Sequence, residues 1–286
     1  MEIQTKPLDP GLYFVATPIG TARDITLRAL DILASADVIA AEDTRTAKHL
    51  MQIHGVTLGD RPVIAYHDHS APALRDRIVA MIAEGKSVAY ASEAGTPLVA
   101  DPGFQLGRAV IAAGLSVTTA PGPSAVLAAL TVSGLPSDRF LFVGFPPTAK
   151  GQRAKMLAEL AAVPATLVLY ESPKRVHRLL GELAQCFGEV RQAVVCRELT
   201  KRFEEVTRGT LAELAEAFAD RAVKGEIVVL VDRAPEARAD AQTLEEALRA
   251  ALPRKSVKDA AAEVAAALNL PRRQVYQEAL RLAGEE

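Results

Sequence analysis

Short hydrophobic runs alternate with amphipathic stretches along residues 11–122. Runs rich in β-branched residues predict strands, and apolar residues at helical spacing, such as Leu27, Leu30 and Ala34, predict helices. The predicted strands span 12–17, 38–41, 63–66, 87–91 and 115–120, and the predicted helices span 26–36, 73–83 and 105–113. This alternation is typical of a mostly parallel α/β sheet. We therefore predict an N-terminal α/β domain at 11–122.

The same alternation begins again after residue 123. Strands are predicted at 140–144, 165–170 and 192–196, with helices at 154–161 and 175–184 between them. Residues 204–209 and 227–231 predict antiparallel strands around a helix at 211–219. A second, α+β domain is therefore expected at 123–234.

The C-terminal segment has a different pattern. Residues 235–241 are polar and alanine-rich, as in a linker. Two amphipathic helices are predicted beyond it, at 257–268 and 272–282, with a break at 269–271. Helix, turn, helix is the outline of a helix-turn-helix unit, so we expect a helical extension at 243–286. Its basic residues, Arg272 and Arg273 among them, could contact phosphates, but a helical hairpin packed on the body or on a partner fits equally well.

The composition of the chain argues against several classes of function. The chain has 286 residues, a net charge of −2, 5% aromatic residues and no Trp. These values argue against an extended base-stacking surface, so any RNA role must rest on local basic patches. Two cysteines are too few for a disulfide scaffold or a four-ligand zinc site. No membrane span or export signal is recognisable, and we expect a soluble cytoplasmic protein.

Four loops rich in Gly and Pro follow predicted strands, at 17–20, 92–97, 121–125 and 144–147. Ligands of open α/β sheets bind at the carboxyl ends of the strands, so these loops are candidate binding loops. The sequence lacks the glycine patterns of dinucleotide folds and P-loops and the nucleophile elbow of hydrolases. His67-Asp68-His69 suggests a metal, but no further His or Cys nearby completes a site. We expect no metal there, and a surface loop or a substrate-facing loop instead.

Charged residues also follow the apolar strands directly. Glu42, Asp43, Glu171, Arg197 and Glu198 occupy such positions. Residues there face a cleft more often than bulk water. These patterns alone predict a two-domain α/β enzyme with a cleft and leave its reaction open.

The loop sequences resemble those of the tetrapyrrole methylase-like superfamily, the class III S-adenosylmethionine-dependent methyltransferases. Within it they are similar to the bacterial enzymes that methylate the ribose 2′-hydroxyl of a cytidine in the decoding region of 16S ribosomal RNA. The resemblance spans about residues 11–233. The matching stretches are Tyr13-Phe14-Val15-Ala16-Thr17-Pro18-Ile19-Gly20, Ala41-Glu42-Asp43-Thr44-Arg45, Glu93-Ala94-Gly95-Thr96-Pro97, Asp101-Pro102-Gly103, Pro121-Gly122-Pro123-Ser124-Ala125, Tyr170-Glu171-Ser172-Pro173 and Arg197-Glu198-Leu199-Thr200-Lys201.

The resemblance implies a two-domain fold with S-adenosylmethionine in the cleft between the domains, and a homodimer. Carried over residue by residue, it implies cofactor contacts at Pro18, Ile19, Ala94, Gly95, Thr96, Val99, Ser124, Ala125, Tyr170, Glu171 and Leu199. The implied partner is 16S ribosomal RNA within the small ribosomal subunit.

Methyl transfer to a ribose hydroxyl needs an aligned nucleophile and removal of a proton. Asp43, Glu171 and His67 are our candidates for a base or an orienting group. The expected RNA contacts are Arg45, Lys150, Arg153, Arg197, Lys201, Arg272 and Arg273. Two alternatives stay open: a C-methyltransferase of tetrapyrrole precursors, and a non-catalytic RNA-binding protein on the same scaffold.

Overall fold

A computed structural model describes residues 3–67, 69–234, 241–268, 270 and 272–284. The chain divides into two compact units, one ending at Arg233 and one following it. The first unit holds ten strands and eight α-helices among the described residues. The strands are β1 Gly11–Val15, β2 Val38–Ala41, β3 Val63–Ala65, β4 Ser87–Ala91, β5 Val117–Ala120, β6 Phe140–Gly144, β7 Thr166–Glu171, β8 Gln192–Arg197, β9 Glu205–Thr210 and β10 Ile227–Val231. The helices are α1 Leu27–Ser35, α2 Thr44–Ile53, α3 Pro72–Ala83, α4 Phe104–Ala112, α5 Ala125–Ser133, α6 Lys150–Leu160, α7 Val176–Phe187 and α8 Leu211–Ala219.

The first five strands form one parallel sheet in the order β3-β2-β4-β1-β5. Successive residues of a strand face opposite sides, so each central strand serves two cores. Ala89 and Ala91 of β4 join an apolar cluster with α1 and α2. Val88 and Tyr90 join a second cluster with α3 and α4. Helices on both faces explain why β2 and β4 are buried throughout, and the predicted parallel sheet is confirmed.

The other five strands form a mixed sheet in the order β6-β7-β10-β8-β9, in which only β6 and β7 are parallel. One face packs on α6, α7 and α8, and the other on α5. The sequence predicted antiparallel strands at 204–209 and 227–231, which correspond to β9 and β10. They are not paired, because β8 lies between them and is antiparallel to both. Helix α5 was not predicted, since its positions are apolar on nearly every side.

The second unit consists of three helices in its described residues: α9 Ala241–Ala251, α10 Val257–Ala267 and α11 Arg272–Ala283. Leu248, Val264 and Val275 are buried in a core of its own. The expectation of two helices was wrong, because α9, which shares only Ala241 with the predicted linker, was not predicted. Residues 235–240, most of the predicted linker, lie outside the described residues, as do Asn269 and Pro271 of the predicted break. None of the described helices is long and apolar enough to cross a membrane.

Candidate functional site

A cavity of about 300 Å³ lies where loops of the parallel sheet meet β7 and β10 of the mixed sheet. The parallel sheet contributes the loops after β1, β4 and β5, and the mixed sheet contributes the end of β7 and the start of β10. The lining residues are Ile19, Ala94, Gly95, Thr96, Val99, Ala100, Asp101, Ser124, Ala125, Phe145, Tyr170, Glu171, Ser172, Pro173, Gly225, Glu226, Ile227 and Val228.

Nine of the eleven sequence-predicted cofactor residues are brought together in this lining. The two exceptions are Pro18 and Leu199, which are not part of it. Leu199 is buried instead in an apolar cluster that it shares with Ile19. It therefore supports the cavity wall from behind.

The loops after β1 and β4 are joined by their backbones. Thr17 and Gly95 exchange two N–H to carbonyl hydrogen bonds, each 3.0 Å long. The hydroxyl of Thr96 donates to the carbonyl of Pro123 at 2.8 Å and so ties in the loop after β5. The three predicted binding loops thus form one connected wall.

The β4 loop has an unusual backbone. Gly95 has φ +85°, and the non-glycine residues Leu98 and Ala100 have φ +72° and +55°. Left-handed conformations of such residues cost free energy and cluster at functional sites. This strained loop lies along the cavity wall, as expected for a ligand-binding segment.

The loop after β1 also contacts the loop after β8. A Cβ atom on Gly20 would lie 2.5 Å from Lys201 Cγ and 3.0 Å from the Leu199 carbonyl oxygen. The N–H of Thr21 donates to the Thr200 hydroxyl at 3.2 Å. Glycine is needed at position 20 because the two loops approach this closely.

An ion-pair network holds the next part of the rim. Lys201 Nζ lies 2.9 Å from Glu198 Oε1 and 2.7 Å from Glu226 Oε2. The hydrogen bond from Lys201 lowers the pKa of the Glu198 carboxyl. Lys201, expected to contact RNA, is therefore engaged within the protein and connects the β8 loop to a cavity-lining residue.

Tyr170 contributes a neutral hydroxyl to the cavity. Burial raises its pKa to about 12, although an N–H donated by Val126 opposes the shift. Its ring makes edge-to-face contacts with Phe142 and Phe145, at centroid distances of 4.9 and 5.5 Å. Tyr170 is thus fixed at both ends, by aromatic packing and by the first turn of α5.

Glu171 is the buried carboxylate of the lining. Its Oε1 accepts the backbone N–H of Ser172 at 2.7 Å and pairs with Arg175 at 2.6 Å. These contacts all use one oxygen and fix the orientation of the carboxylate.

Asp43 and His67 lie at the carboxyl ends of β2 and β3, along the same sheet edge as the cavity but outside its lining. Asp43 caps α2 through the Arg45 N–H and binds the Arg45 guanidinium, which lowers its pKa to about 2. His67 is exposed, and Asp68 lies outside the described residues. Within the described part of the chain, no cluster of three or more potential metal ligands occurs.

The expected RNA contacts differ in how accessible they are. Arg45, Lys150, Arg272 and Arg273 are exposed. Arg197 is paired with Glu205 at 3.1 Å.

Arg153 does not fit an RNA contact. Its side chain is 2% exposed, forms a bidentate pair with Glu182 at 2.5 and 2.7 Å, and donates to the carbonyls of Pro147 and Thr148. The sequence grouped Arg153 with the neighbouring cations Lys150 and Lys155, whereas its ion-pair partner Glu182 lies 29 residues further along the chain.

Known families match both parts of the chain. A model of Tetrapyrrole (Corrin/Porphyrin) Methylases matches residues 11–215, and a model of the RsmI C-terminal HTH domain matches residues 238–283. Ribosomal RNA small subunit methyltransferase I of Mesorhizobium japonicum is 52% identical over 84% of this chain and 80% of its own length. The enzyme of the same name from Xylella fastidiosa is 44% identical over 93% of this chain and 98% of its own. The chain belongs to the ribosomal RNA small subunit methyltransferase I family.

Solved structures agree with the methyltransferase fold of this family. Diphthine synthase matches with a TM-score of 0.58 and 17% identity, over 77% of this chain and 89% of its own. Uroporphyrin-III C-methyl transferase from Thermus thermophilus, solved in complex with S-adenyl homocysteine, matches with a TM-score of 0.52 and 20% identity, over 77% and 96%. The predicted tetrapyrrole methylase-like fold with a C-terminal helix-turn-helix extension is thereby confirmed.

Half of the residues that line the cavity were not predicted from the sequence. These residues include Phe145, Asp101 and the segment 225–228. Phe145 could have been predicted, because it belongs to the loop at 144–147, which is a candidate binding loop on account of its glycine and prolines. Residues 225–228 carry only a glycine before an apolar strand, a signal shared by many ordinary turns.

Proposed function

We propose that this chain transfers the methyl group of S-adenosylmethionine to the ribose 2′-hydroxyl of a cytidine in the decoding region of 16S ribosomal RNA. The substrate is the small ribosomal subunit, and the enzyme works in the cytoplasm as a homodimer. The observation that carries the proposal is the single cavity walled by the three glycine-rich loops and Glu171. The names of the close relatives support ribosomal RNA as the substrate.

The cavity fits a nucleoside-bearing methyl donor. Its volume is at the lower end of the range of small-molecule sites, about 300–1,000 Å³. Apolar side chains such as Ile19, Val99 and Val228 suit an aromatic ring, and the backbone of the β4 and β5 loops suits polar groups. When bound there, S-adenosylmethionine supplies an electrophilic methyl group. The residues of the lining bind it, orient it and exclude water.

Among the three candidate bases, Glu171 has the best position. It lines the cavity, and its Oε1 contacts leave Oε2 to accept the proton or hydrogen bond of a ribose hydroxyl. A general base must lie within hydrogen-bonding reach of the proton it takes. Asp43, with a pKa of about 2, is a weak proton acceptor. We assign Asp43 and His67 to orienting the RNA along the sheet edge.

Each of the two units carries exposed cations that could contact RNA phosphates. Arg45 begins α2 beside the sheet edge, and Lys150 begins α6 after the Phe145 loop. Arg272 and Arg273 begin α11 of the second unit. We propose phosphate contacts for these four, and leave Arg153 out because its guanidinium is buried.

The decisive test is tritiated methyl transfer to small ribosomal subunits from a strain that lacks this protein, followed by nuclease mapping. Label in a single alkali-resistant dinucleotide is the expected result, since a 2′-O-methyl group blocks alkaline cleavage. Donor binding without any label would overturn the proposal and favour a tetrapyrrole substrate or a non-catalytic role.

Site variants then test the roles. We expect Glu171→Gln to lower the single-turnover rate by about 10²-fold or more, as for loss of a general base. Asp43→Asn, which keeps a capping side chain on α2, should lower it less. A Glu171→Gln rate within about threefold of the wild type would remove Glu171 from the chemistry.

Truncation tests the second unit. A chain ending at residue 242 should bind RNA more weakly and with a shallower salt dependence, because phosphate contacts release counterions. Donor affinity should be unchanged. An unaltered RNA affinity would return the helices to a structural role.

A further inference from the structure

Phe145 is a large apolar side chain at the cavity. It has no role in the proposed binding of the donor or in the proposed proton transfer. It is 55% exposed and lines the cavity. Single exposed aromatic rings are common on protein surfaces, so what distinguishes Phe145 is its place at the cavity. The low aromatic content of the chain, 5%, makes one at the cavity more informative.

The Phe145 ring is held from below by a row of aromatic rings. Tyr170 contacts Phe145 at 5.5 Å and Phe142 at 4.9 Å, both at interplanar angles of 66°. The row runs from the edge strand β6 of the mixed sheet to the cavity, and Phe145 is its outermost ring. Edge-to-face packing fixes the ring without covering it.

The loop that carries Phe145 is held rigidly by a buried ion pair. Arg153 donates to the carbonyls of Pro147 and Thr148 at 3.0 and 2.8 Å, and Glu182 holds the guanidinium from the other side. Pro146 is buried as well. Arg153, once expected to bind RNA directly, thus acts on this loop through the backbone. The loop is ordered before any ligand arrives, which reduces the entropy lost on binding.

A rigid aromatic ring beside a nucleotide-sized cavity is suited to stacking a planar heterocycle. Sequence-specific RNA recognition often places an unstacked base on such a ring. The exposed Lys150, five positions along the chain, adds a cation for the backbone of the same strand.

We propose that the Phe145 ring stacks on the base of the nucleotide that is methylated, or of its immediate neighbour, and so positions the ribose at the cavity. This inference rests on the proposed function. Phe145 is on this view a specificity residue for RNA, while the donor is held by the loops of the parallel sheet.

The test compares Phe145→Ala and Phe145→Trp with wild type, using small ribosomal subunits and S-adenosylmethionine as the varied substrates. Phe104→Ala is the matched control, because Phe104 is also 55% exposed but does not line the cavity. We expect Phe145→Ala to raise the KM for subunits about tenfold, a typical loss for one stacked base. Its KM for the donor should stay within about twofold, and Phe145→Trp should retain wild-type values.

Each other result overturns the inference. An increase in the donor KM alone, or in both KM values, would mean that the ring serves the adenine of the donor. Unchanged KM values, or a change equal to that of Phe104→Ala, would mean that the ring binds nothing. Failure of wild type to methylate subunits would instead refute the proposed function, and with it this inference.

Discussion

Thr17 and Gly95 exchange a pair of backbone hydrogen bonds, each 3.0 Å long, across the carboxyl edge of the parallel sheet. This short antiparallel bridge joins the loops of neighbouring parallel strands, β1 and β4. The two loops can change position only together. Substitutions in either one should therefore alter the cavity as a unit.

Gly95→Ala tests the bridge. Alanine at φ +85° costs about 1–2 kcal/mol, and its Cβ would lie 3.2 Å from Ile19 Cγ2 in the cavity wall. Gly85, with φ +95° and nothing within 4 Å of a Cβ, provides the matched backbone control. We expect both variants to lower the free energy of unfolding similarly in urea titrations. Only Gly95→Ala should weaken donor binding by calorimetry, by about tenfold. If Gly95→Ala and Gly85→Ala bound the donor with equal affinity, the bridge would have no role in donor binding.

Gly20→Ala tests the contact between the first loop and the β8 loop. The added Cβ meets Lys201 and backbone of Leu199, so the loops must separate at a cost of about 1–3 kcal/mol. Gly151→Ala in the exposed part of α6 should instead stabilise the protein by about 0.5–1 kcal/mol. Urea unfolding midpoints that move in opposite directions would bear out the contact. A neutral Gly20→Ala would mean that the loops are free to part.

Glu205 should make the free energy of unfolding depend on pH in the acidic range. Hydrogen bonds from Arg221 lower its pKa to about 2, against the desolvation that raises it, and Arg197 assists. Because the folded pKa lies below the unfolded one, the stabilisation is present above the unfolded pKa and is lost as pH falls from about 5 to 2. Thermal melts should show Glu205→Gln less stable than wild type near neutral pH and equal to it near pH 2. Glu159→Gln, at an exposed position of α6, should match the stability of the wild type at each pH. A difference independent of pH would contradict the ion pair.

The two cysteines should differ in reactivity. Cys186 is exposed, whereas burial raises the pKa of the Cys196 thiol to about 12. The thiolate is the reactive form, so native Cys196 should react very slowly at pH 8. Ellman's reagent should modify one thiol quickly in the native chain and two in denaturant. Cys186→Ser should abolish the fast phase, and rapid reaction of Cys196 would disprove the buried β8 position.

Much of the fold could be predicted because its signals are local. Strand β4 and the loops at Gly95 and Gly122, which are rich in Gly and Pro, are determined by residues that are neighbours in the sequence. Their predicted bounds lie within a few residues of the observed ones. Their carboxyl-end positions also brought most of the cavity residues together, since that edge is shared by all parallel strands.

The errors arose where a distant residue decides the outcome. The Arg153 charge looked exposed because its partner Glu182 is on another helix. Strand β8 separates β9 from β10, although the latter two are joined by α8 and follow one another. The Val228 side of the cavity depends on the mixed sheet closing against the parallel sheet, which no local pattern encodes. The domain boundaries, the homodimer and the RNA contacts stay predictions.

The position of β1 between β4 and β5 has a consequence for synthesis of the chain. Gly11 pairs with Ser87 and Leu12 with Val117, so β1 has neither partner strand until β4 and β5, which follow β2 and β3 in the chain, have been made. At roughly 5–20 residues per second, β1 waits several seconds before β4 and β5 enclose it. Its apolar side chains are exposed to chaperones and to neighbouring nascent chains during this interval. The burial of β1 thus depends on how quickly the later strands of the sheet are translated.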